Sequence, residues 1–304
     1  MAATTTVTVP HLGGIRAGYW LSSPDGKTPD PSKPTCVLIN SMCTTVSLYR
    51  DQFANKQLTH GMNLLAIEPL GHGATSCHPA EHFTYWDSAI MALQVMDKLG
   101  IDKAFALGTS QGGWVAVRMA LLAPERIRGL MLLGTSIDYE SSVSRTKACW
   151  DPTPIIAPFI QTWSTPTSPN PEDFLIDEVW CGMVSTLGFG LNVTTETIEF
   201  WKQTLRDVYK GDEGRKKVRM ATMNLLQRDG LGLRVRDVKC PVYWLQGTED
   251  TVYSKEYAQE QSKLFISSVE VKFSVVEGGA HYLNVTTPME VAEALLELVS
   301  KYKQ

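Results

Sequence analysis

Residues 35–40 and 63–67 are short unbroken apolar runs, and each is followed by a longer stretch whose apolar positions recur at helical spacing, 48–58 and 83–99. The same alternation continues with a strand over 104–107, a helix over 114–123 and a strand over 129–133. It resumes near the end of the chain with a strand at 242–245, a helix at 254–265, a strand at 269–276 and a helix at 288–301. Continuous apolar runs mark strands covered on both faces, as in a parallel sheet. The pattern therefore predicts an α/β fold, doubly wound, with a mostly parallel central sheet flanked by helices. Ahead of it, Val7, Val9 and residues 15–21 alternate with polar positions around Gly13-Gly14 and predict a leading β-hairpin. Residues 24–34 form a loop rich in Pro, Asp, Ser and Lys. Thr287 followed by Pro288 predicts an N-cap and first helical position for the last helix.

Between 137 and 233 the strand signal vanishes. This stretch carries proline clusters, four of the eight tryptophans and helical runs at 196–209 and 214–228. It predicts a helical cap, 137–233, inserted after the sixth strand of a core domain made of 1–136 and 234–304. Such an insertion is expected over the carboxyl edge of the sheet, where α/β folds bind ligands. Trp150, Trp163 and Trp180 are candidates to line an apolar substrate pocket there, the alternative being that they build the cap's own core. The run Arg215-Lys216-Lys217 reads as a solvated helix face.

Composition narrows the function. Lys+Arg 28 against Asp+Glu 32 leaves a formal net charge of −4, without the basic excess of a nucleic-acid binder. No stretch approaches the roughly 18 consecutive apolar residues of a membrane span. The six cysteines, at 36, 43, 77, 149, 181 and 240, show no zinc or redox spacing. With no basic, apolar leader at the first residues, the expectation is a cytoplasmic protein with free thiols. On that expectation the glycosylation-like triplets at Asn192 and Asn284 carry no sugar.

The sharpest motif is Gly108-Thr109-Ser110-Gln111-Gly112-Gly113, between a strand and a helix. A nucleophile elbow needs that context, with small residues two before and two after the serine so that strand and helix approach closely. A serine hydroxyl is a poor nucleophile at neutral pH and needs a base held by a carboxylate. Asp250 follows the strand at 242–245, and His281 follows the last strand, so both can return to the rim that carries Ser110. Asp138, just past the sixth strand, is the alternative acid. Among the other histidines, His72 reads as part of a structural turn, Glu68-Pro-Leu-Gly-His-Gly. Cys43 reads as a small buried residue rather than a second nucleophile.

The elbow, the loop Gly247-x-x-Asp250 and the loop Gly278-x-x-His281 together resemble the α/β-hydrolase superfamily, in its capped serine esterase, lactonase and perhydrolase-like group. The turn at residues 68–73 is similar to that superfamily's Asp-x-x-Gly-x-Gly loop, with Glu in place of Asp. The resemblance implies Ser110 as nucleophile, His281 as base and Asp250 as its orienting acid. It implies backbone N–H groups of Met42 and Gln111 as the oxyanion hole, although Asn40-Ser41-Met42-Cys43 stands where the family usually has His-Gly. Serine at the elbow argues against the epoxide hydrolase and haloalkane dehalogenase branches, which place Asp there. The expected substrate is a carboxylic ester or lactone of a moderately apolar small molecule, cleaved without metal or organic cofactor. Acyl transfer, carbon–carbon bond hydrolysis and cofactor-free perhydrolysis use the same fold, and a non-catalytic small-molecule receptor is the remaining alternative.

Overall fold

The structure is a computed structural model describing residues 4–78, 80–165 and 169–303. Among the described residues, eight strands form one sheet in the order β1-β2-β4-β3-β5-β6-β7-β8. They are β1 (Thr5–Val9), β2 (Ile15–Leu21), β3 (Thr35–Ile39), β4 (Asn63–Ile67), β5 (Ala104–Thr109), β6 (Ile127–Leu133), β7 (Val242–Gly247) and β8 (Val271–Val276). The hairpin partner β2 runs antiparallel to β1 and β4, and every other pairing is parallel. Helices α1 (Arg50–Ala54) and α2 (Lys56–Gly61) connect β3 to β4, α3 (Tyr85–Lys98) connects β4 to β5, and α4 (Gln111–Leu122) follows the elbow. Between β6 and β7 lie α5 (Ser142–Thr146), α6 (Thr153–Trp163), α7 (Glu178–Phe189), α8 (Thr195–Val208) and α9 (Gly211–Gln227). The chain then adds α10 (Lys255–Ser262), α11 (Leu283–Thr286) and α12 (Pro288–Tyr302).

The unbroken apolar runs have a direct explanation in the period of two along a strand. Val37, Ile39, Leu65, Ala106, Leu130, Leu132 and Trp244 face one core, packed by α3, α4 and α10. Their neighbours Cys36, Leu38, Leu64, Phe105, Leu107, Met131 and Tyr243 face another, packed by α2 and α12. Because consecutive residues serve opposite cores, neither parity can be polar. The first core does not stop at the sheet. It continues into Trp163, Trp180, Cys181, Leu205, Tyr209 and Val218 of the α5–α9 segment, so those helices share the hydrophobic interior of the strands.

Three local expectations need correction. The helix expected at 48–58 is a 3₁₀ turn followed by two short helices, because Asn55 adopts ψ 111° and its side chain accepts from the N–H groups of Gln57 and Leu58, starting α2 afresh. Thr287 holds the N-cap position of α12 but does not cap it, since its hydroxyl donates back to the Leu283 carbonyl. The basic run at 215–217 is a solvated face only at Lys216, which sits at the surface among Glu81, Asp212 and Glu213. Arg215 is buried, donating to the Trp163 carbonyl and to Asp212, and Lys217 reaches the Gly73 carbonyl at 2.7 Å. A basic side chain packs this way when its head finds an acceptor and its stem covers apolar surface.

Strand order reverses around β3, with β4 on one side and β5 on the other. The carboxyl ends of β3 and β5 therefore flank a topological switch point, the place where open α/β sheets bind ligands. Among the described residues, no helix is long and apolar enough to cross a membrane, and no group of three or more His, Cys, Asp or Glu could hold a metal ion.

Candidate active site

Ser110 sits between β5 and α4 with φ 53° and ψ −119°, a backbone conformation that non-glycine residues rarely adopt. The surroundings over-determine it. Its N–H donates to the Leu133 carbonyl at 2.9 Å, and its carbonyl accepts from Thr135 Oγ1 at 2.7 Å and the Gly113 N–H at 2.8 Å. The small residues of the motif are steric necessities. A Cβ on Gly108 would overlap the Gly112 backbone, and one on Gly112 would overlap the Ile39 carbonyl at the end of β3. Ser110 is thus 7% exposed and poised at the head of a helix, whose first N–H groups have no intrahelical acceptor.

Asp250 and His281 are joined directly, with His281 Nδ1 lying 2.9 Å from Asp250 Oδ2 and 3.1 Å from Oδ1. The carboxylate also accepts from the Val252 N–H (2.8 Å), the Tyr253 N–H (3.1 Å) and Gln246 Nε2 (2.7 Å). Asp138 is engaged elsewhere, accepting from Ser141 Oγ and the Tyr257 hydroxyl at 3.0 Å each. Glu249, next to Asp250, points to solvent.

Two bridges lay the His281 segment against the elbow. Thr109 Oγ1, one residue before Ser110, donates to Asn284 Oδ1 at 3.0 Å, and Asn284 Nδ2 donates to the Leu48 carbonyl at 2.7 Å. Gly134, directly after the Leu133 carbonyl that holds Ser110, lies so close to the His281 carbonyl that a Cβ there would overlap it. Asn284 is fully buried, so the acceptor asparagine of its glycosylation-like triplet has no access to solvent.

The turn after β3 is held by Asn40 and Thr44. The Ser41 carbonyl accepts from Thr44 Oγ1 (2.7 Å), Asn40 Nδ2 (3.1 Å) and the Thr44 N–H (3.2 Å). A trans peptide sets its N–H opposite its carbonyl, so clamping that oxygen also aims the Met42 N–H the other way. The left-handed residue of the turn is Cys43, with φ 56°. Burial pushes its thiol up to about 12, so at neutral pH it carries no thiolate.

Behind Gln111 runs a buried chain of hydrogen bonds. The Tyr85 hydroxyl donates to Gln111 Oε1 at 3.1 Å, and Gln111 Nε2 lies 2.9 Å from His72 Nε2, whose Nδ1 is 2.9 Å from the Leu70 carbonyl. This arrangement suits a neutral imidazole protonated at Nδ1. Burial lowers the His72 pKa to about 4 and favours that neutral form.

Of the pocket candidates, Trp163 and Trp180 are fully buried inside the helical segment, their rings 5.0 Å apart and both packed on Phe159. Trp150 is half-buried, its indole N–H 3.3 Å from Glu140. A depression of about 1110 Å³ lies at the opposite, amino end of the strands, lined by residues 28–35, Lys103 and Arg128, away from Ser110. Sequence reasoning missed Gln246, Tyr282 and Asn284 as partners of the site, because ordinary polar and aromatic residues beside a motif carry no signal until the fold shows what they touch. His72 was legible only as a turn residue.

Residues 34–166 match the sequence profile of the family described as alpha/beta hydrolase fold. Over 127 residues the chain is 28% identical to a 2-heptyl-3-hydroxy-4-quinolone dioxygenase of Rhodococcus erythropolis, covering 41% of this chain and 45% of that protein. The match therefore spans less than half of that relative's length. Among solved structures, the enol-lactonase of Burkholderia xenovorans LB400 superposes with a TM-score of 0.74 at 18% identity, over 97% of this chain and 100% of that one. A thermophilic esterase of Thermogutta terrifontis does so with a TM-score of 0.72 at 18% identity, over 99% and 100%.

Proposed function

The chain belongs to the α/β-hydrolase superfamily, and from that premise we propose that it is a serine hydrolase cleaving a carboxylic ester or lactone of a moderately apolar small molecule. The observation that carries this is the backbone of Ser110, strained at φ 53° and buried at a helix head, on the same rim as an imidazole hydrogen-bonded to Asp250. Strain of that kind persists only where the surrounding structure enforces it, and it raises the hydroxyl clear of strand and helix.

In the proposed reaction, Ser110 Oγ attacks the carbonyl carbon while His281 Nε2 takes the hydroxyl proton. Asp250 holds the imidazole through Nδ1 and stabilises the imidazolium. The oxyanion accepts from the N–H groups of Gln111 and Met42. Collapse expels the alcohol, which receives the proton from His281, and leaves an acyl group on Ser110. Water, deprotonated by His281, then attacks the acyl carbon, and as the bond to Ser110 Oγ breaks His281 returns the proton to that oxygen, releasing the carboxylic acid. The helices at 137–233 serve in this proposal as the cap over the site.

Ser110→Ala is expected to abolish both turnover of an acyl-chain ester panel and covalent labelling by a fluorophosphonate probe. Labelling that persists in this variant would refute the assignment. The partial match to a dioxygenase favours one second possibility, in which the Asp250–His281 pair deprotonates a substrate that then reacts with oxygen. Oxygen consumption that survives Ser110→Ala and is lost in His281→Ala would select it.

A further inference from the structure

The residue following His281 is Tyr282, and it is held by three parts of the molecule at once. Its backbone N–H donates to the Gly188 carbonyl of α7 at 2.8 Å. Its ring occupies the place a side chain at position 188 would need, since a Cβ on Gly188 would overlap Cε2, Cδ2 and Cζ of Tyr282. Phe189, next along α7, packs edge-on against the same ring with centroids 5.1 Å apart. The ring also lies 5.4 Å from the His281 imidazole, centroid to centroid. Burial raises the Tyr282 pKa, and the Ser41 side chain, in the turn after β3 next to Met42, opposes that rise. Tyr282 is 4% exposed, so almost none of it faces solvent.

We infer that Tyr282 is a positioning residue that fixes the catalytic base to the end of α7, so that the helical segment between β6 and β7 completes the active site rather than merely covering it. This rests on His281 being the base, as proposed above. Gly188 is the element on the helical side. It is the second of the three glycines in Gly182-x-x-x-x-x-Gly188-x-Gly190, and it alone of the three has an aromatic ring where its Cβ would stand. At position 182 a Cβ would meet nothing within 4 Å, and at 190 it would meet only the Ala280 methyl at 3.2 Å. A methyl at 188 must push the ring, and with it the peptide that carries the imidazole, away from the sheet edge. A displacement of about 1 Å at a reacting group costs on the order of 100-fold in rate.

The test is a double-mutant cycle of Gly188→Ala and Tyr282→Ala, read as kcat and KM on the preferred ester and as the rate of fluorophosphonate labelling. Gly188→Ala alone is expected to lower kcat and the labelling rate by about 10- to 100-fold while KM stays within about threefold. On the Tyr282→Ala background, where the ring is gone, the same glycine substitution is expected to cost less than about twofold, because the two changes act through one contact. Additive effects, or a change in KM with kcat intact, would overturn the inference. Should Gly188→Ala fail to fold, Tyr282→Leu alone carries the test: kcat falls at constant KM and unchanged melting temperature, or the inference fails. Wild-type protein that labels normally while the cycle is additive removes this inference only; wild-type protein that does not label removes the hydrolase assignment beneath it.

Discussion

The carboxylate of Asp250 is surrounded by four donors, two of them backbone amides that no substitution removes. Besides His281 itself, Gln246 is the donor that a substitution can remove. It is fully buried on β7, and its Nε2 divides between Asp250 Oδ2 at 2.7 Å and the Tyr253 carbonyl at 2.8 Å. A hydrogen bond to a charged group contributes about 1.5–3 kcal/mol, so Gln246→Leu is expected to lower kcat by about 10- to 100-fold with KM nearly unchanged. Steady-state kinetics on an ester decide it, and an unaltered kcat would mean that the amides of Val252 and Tyr253 suffice. His72 makes a different kind of prediction. Its folded pKa is lowered to about 4 from an ordinary 6.5. Between those values the unfolded chain binds a proton that the buried imidazole refuses, so stability is full above about pH 6.5 and is lost as pH falls toward 4. The slope from this one residue is at most about 1.4 kcal/mol per pH unit. Glu68, whose pKa burial raises, acts in the opposite sense in acid, so the comparison must be with a His72 variant. Urea midpoints at pH 7 and pH 5 should differ less in His72→Gln than in the parent protein; equal differences would clear His72 of the effect.

At the scale of elements, the turn between β5 and α4 and the helix α7 use glycine for opposite reasons. Gly112 is where α4 crosses the end of β3, and a side chain there would run into the Ile39 carbonyl, a backbone atom that cannot rotate away. Gly182 sits inside α7 with open space at its Cβ position, where glycine only adds flexibility to the unfolded chain. Gly112→Ala is therefore expected to lose several kcal/mol of stability, in the range of severe core overpacking of about 1–3 kcal/mol or more. Gly182→Ala is expected to gain about 0.5–1 kcal/mol. Thermal melts of the two variants side by side test the pair, and a neutral Gly112→Ala would contradict the close crossing. These elements also show what a sequence can reveal. The unbroken runs of β3 to β7 announced buried strands, and the small residues around Ser110 announced the elbow, because both are local consequences of steric or burial demands. The basic run at 215–217 misled, because local charge says nothing of the Trp163 and Gly73 carbonyls that distant chain segments bring to it. Gly188 gave no signal for the same reason: the ring that requires it belongs to a residue 94 positions later in the chain, Tyr282.

Across the whole molecule, the helical segment leaves and rejoins the sheet through two stems that meet. Glu140, just before α5, and Arg228, just after α9, form a buried bidentate pair, with both guanidinium-to-carboxylate distances 2.7 Å. Arg228 also donates to the Asp138 and Leu225 carbonyls, and its guanidinium lies 3.6 Å from the centroid of Trp114 on α4. The Tyr253 hydroxyl donates to Glu140 at 2.9 Å, which links the stems to the loop that holds Asp250. Burial opposes the charge of Arg228, but the neighbouring Tyr253 and the carboxylate of Glu140 outweigh it and raise its pKa. Glu140→Gln would leave the cation buried without its partner, and such a loss costs about 3–5 kcal/mol. Replacing both partners, as in Glu140→Leu with Arg228→Met, removes the stranded charge and should recover part of that, less the acceptor that Tyr253 and Trp150 then lack. Because one hydrophobic core runs from β3 through α4 into α6, α7 and α9, the loss in the single variant should shift one cooperative transition rather than split it. Denaturation followed by both far-UV and near-UV circular dichroism distinguishes the cases. Coincident curves displaced to lower denaturant are expected; an early, separate near-UV transition would show that the helices unfold on their own and that the paired stems, not the shared core, hold them to the sheet.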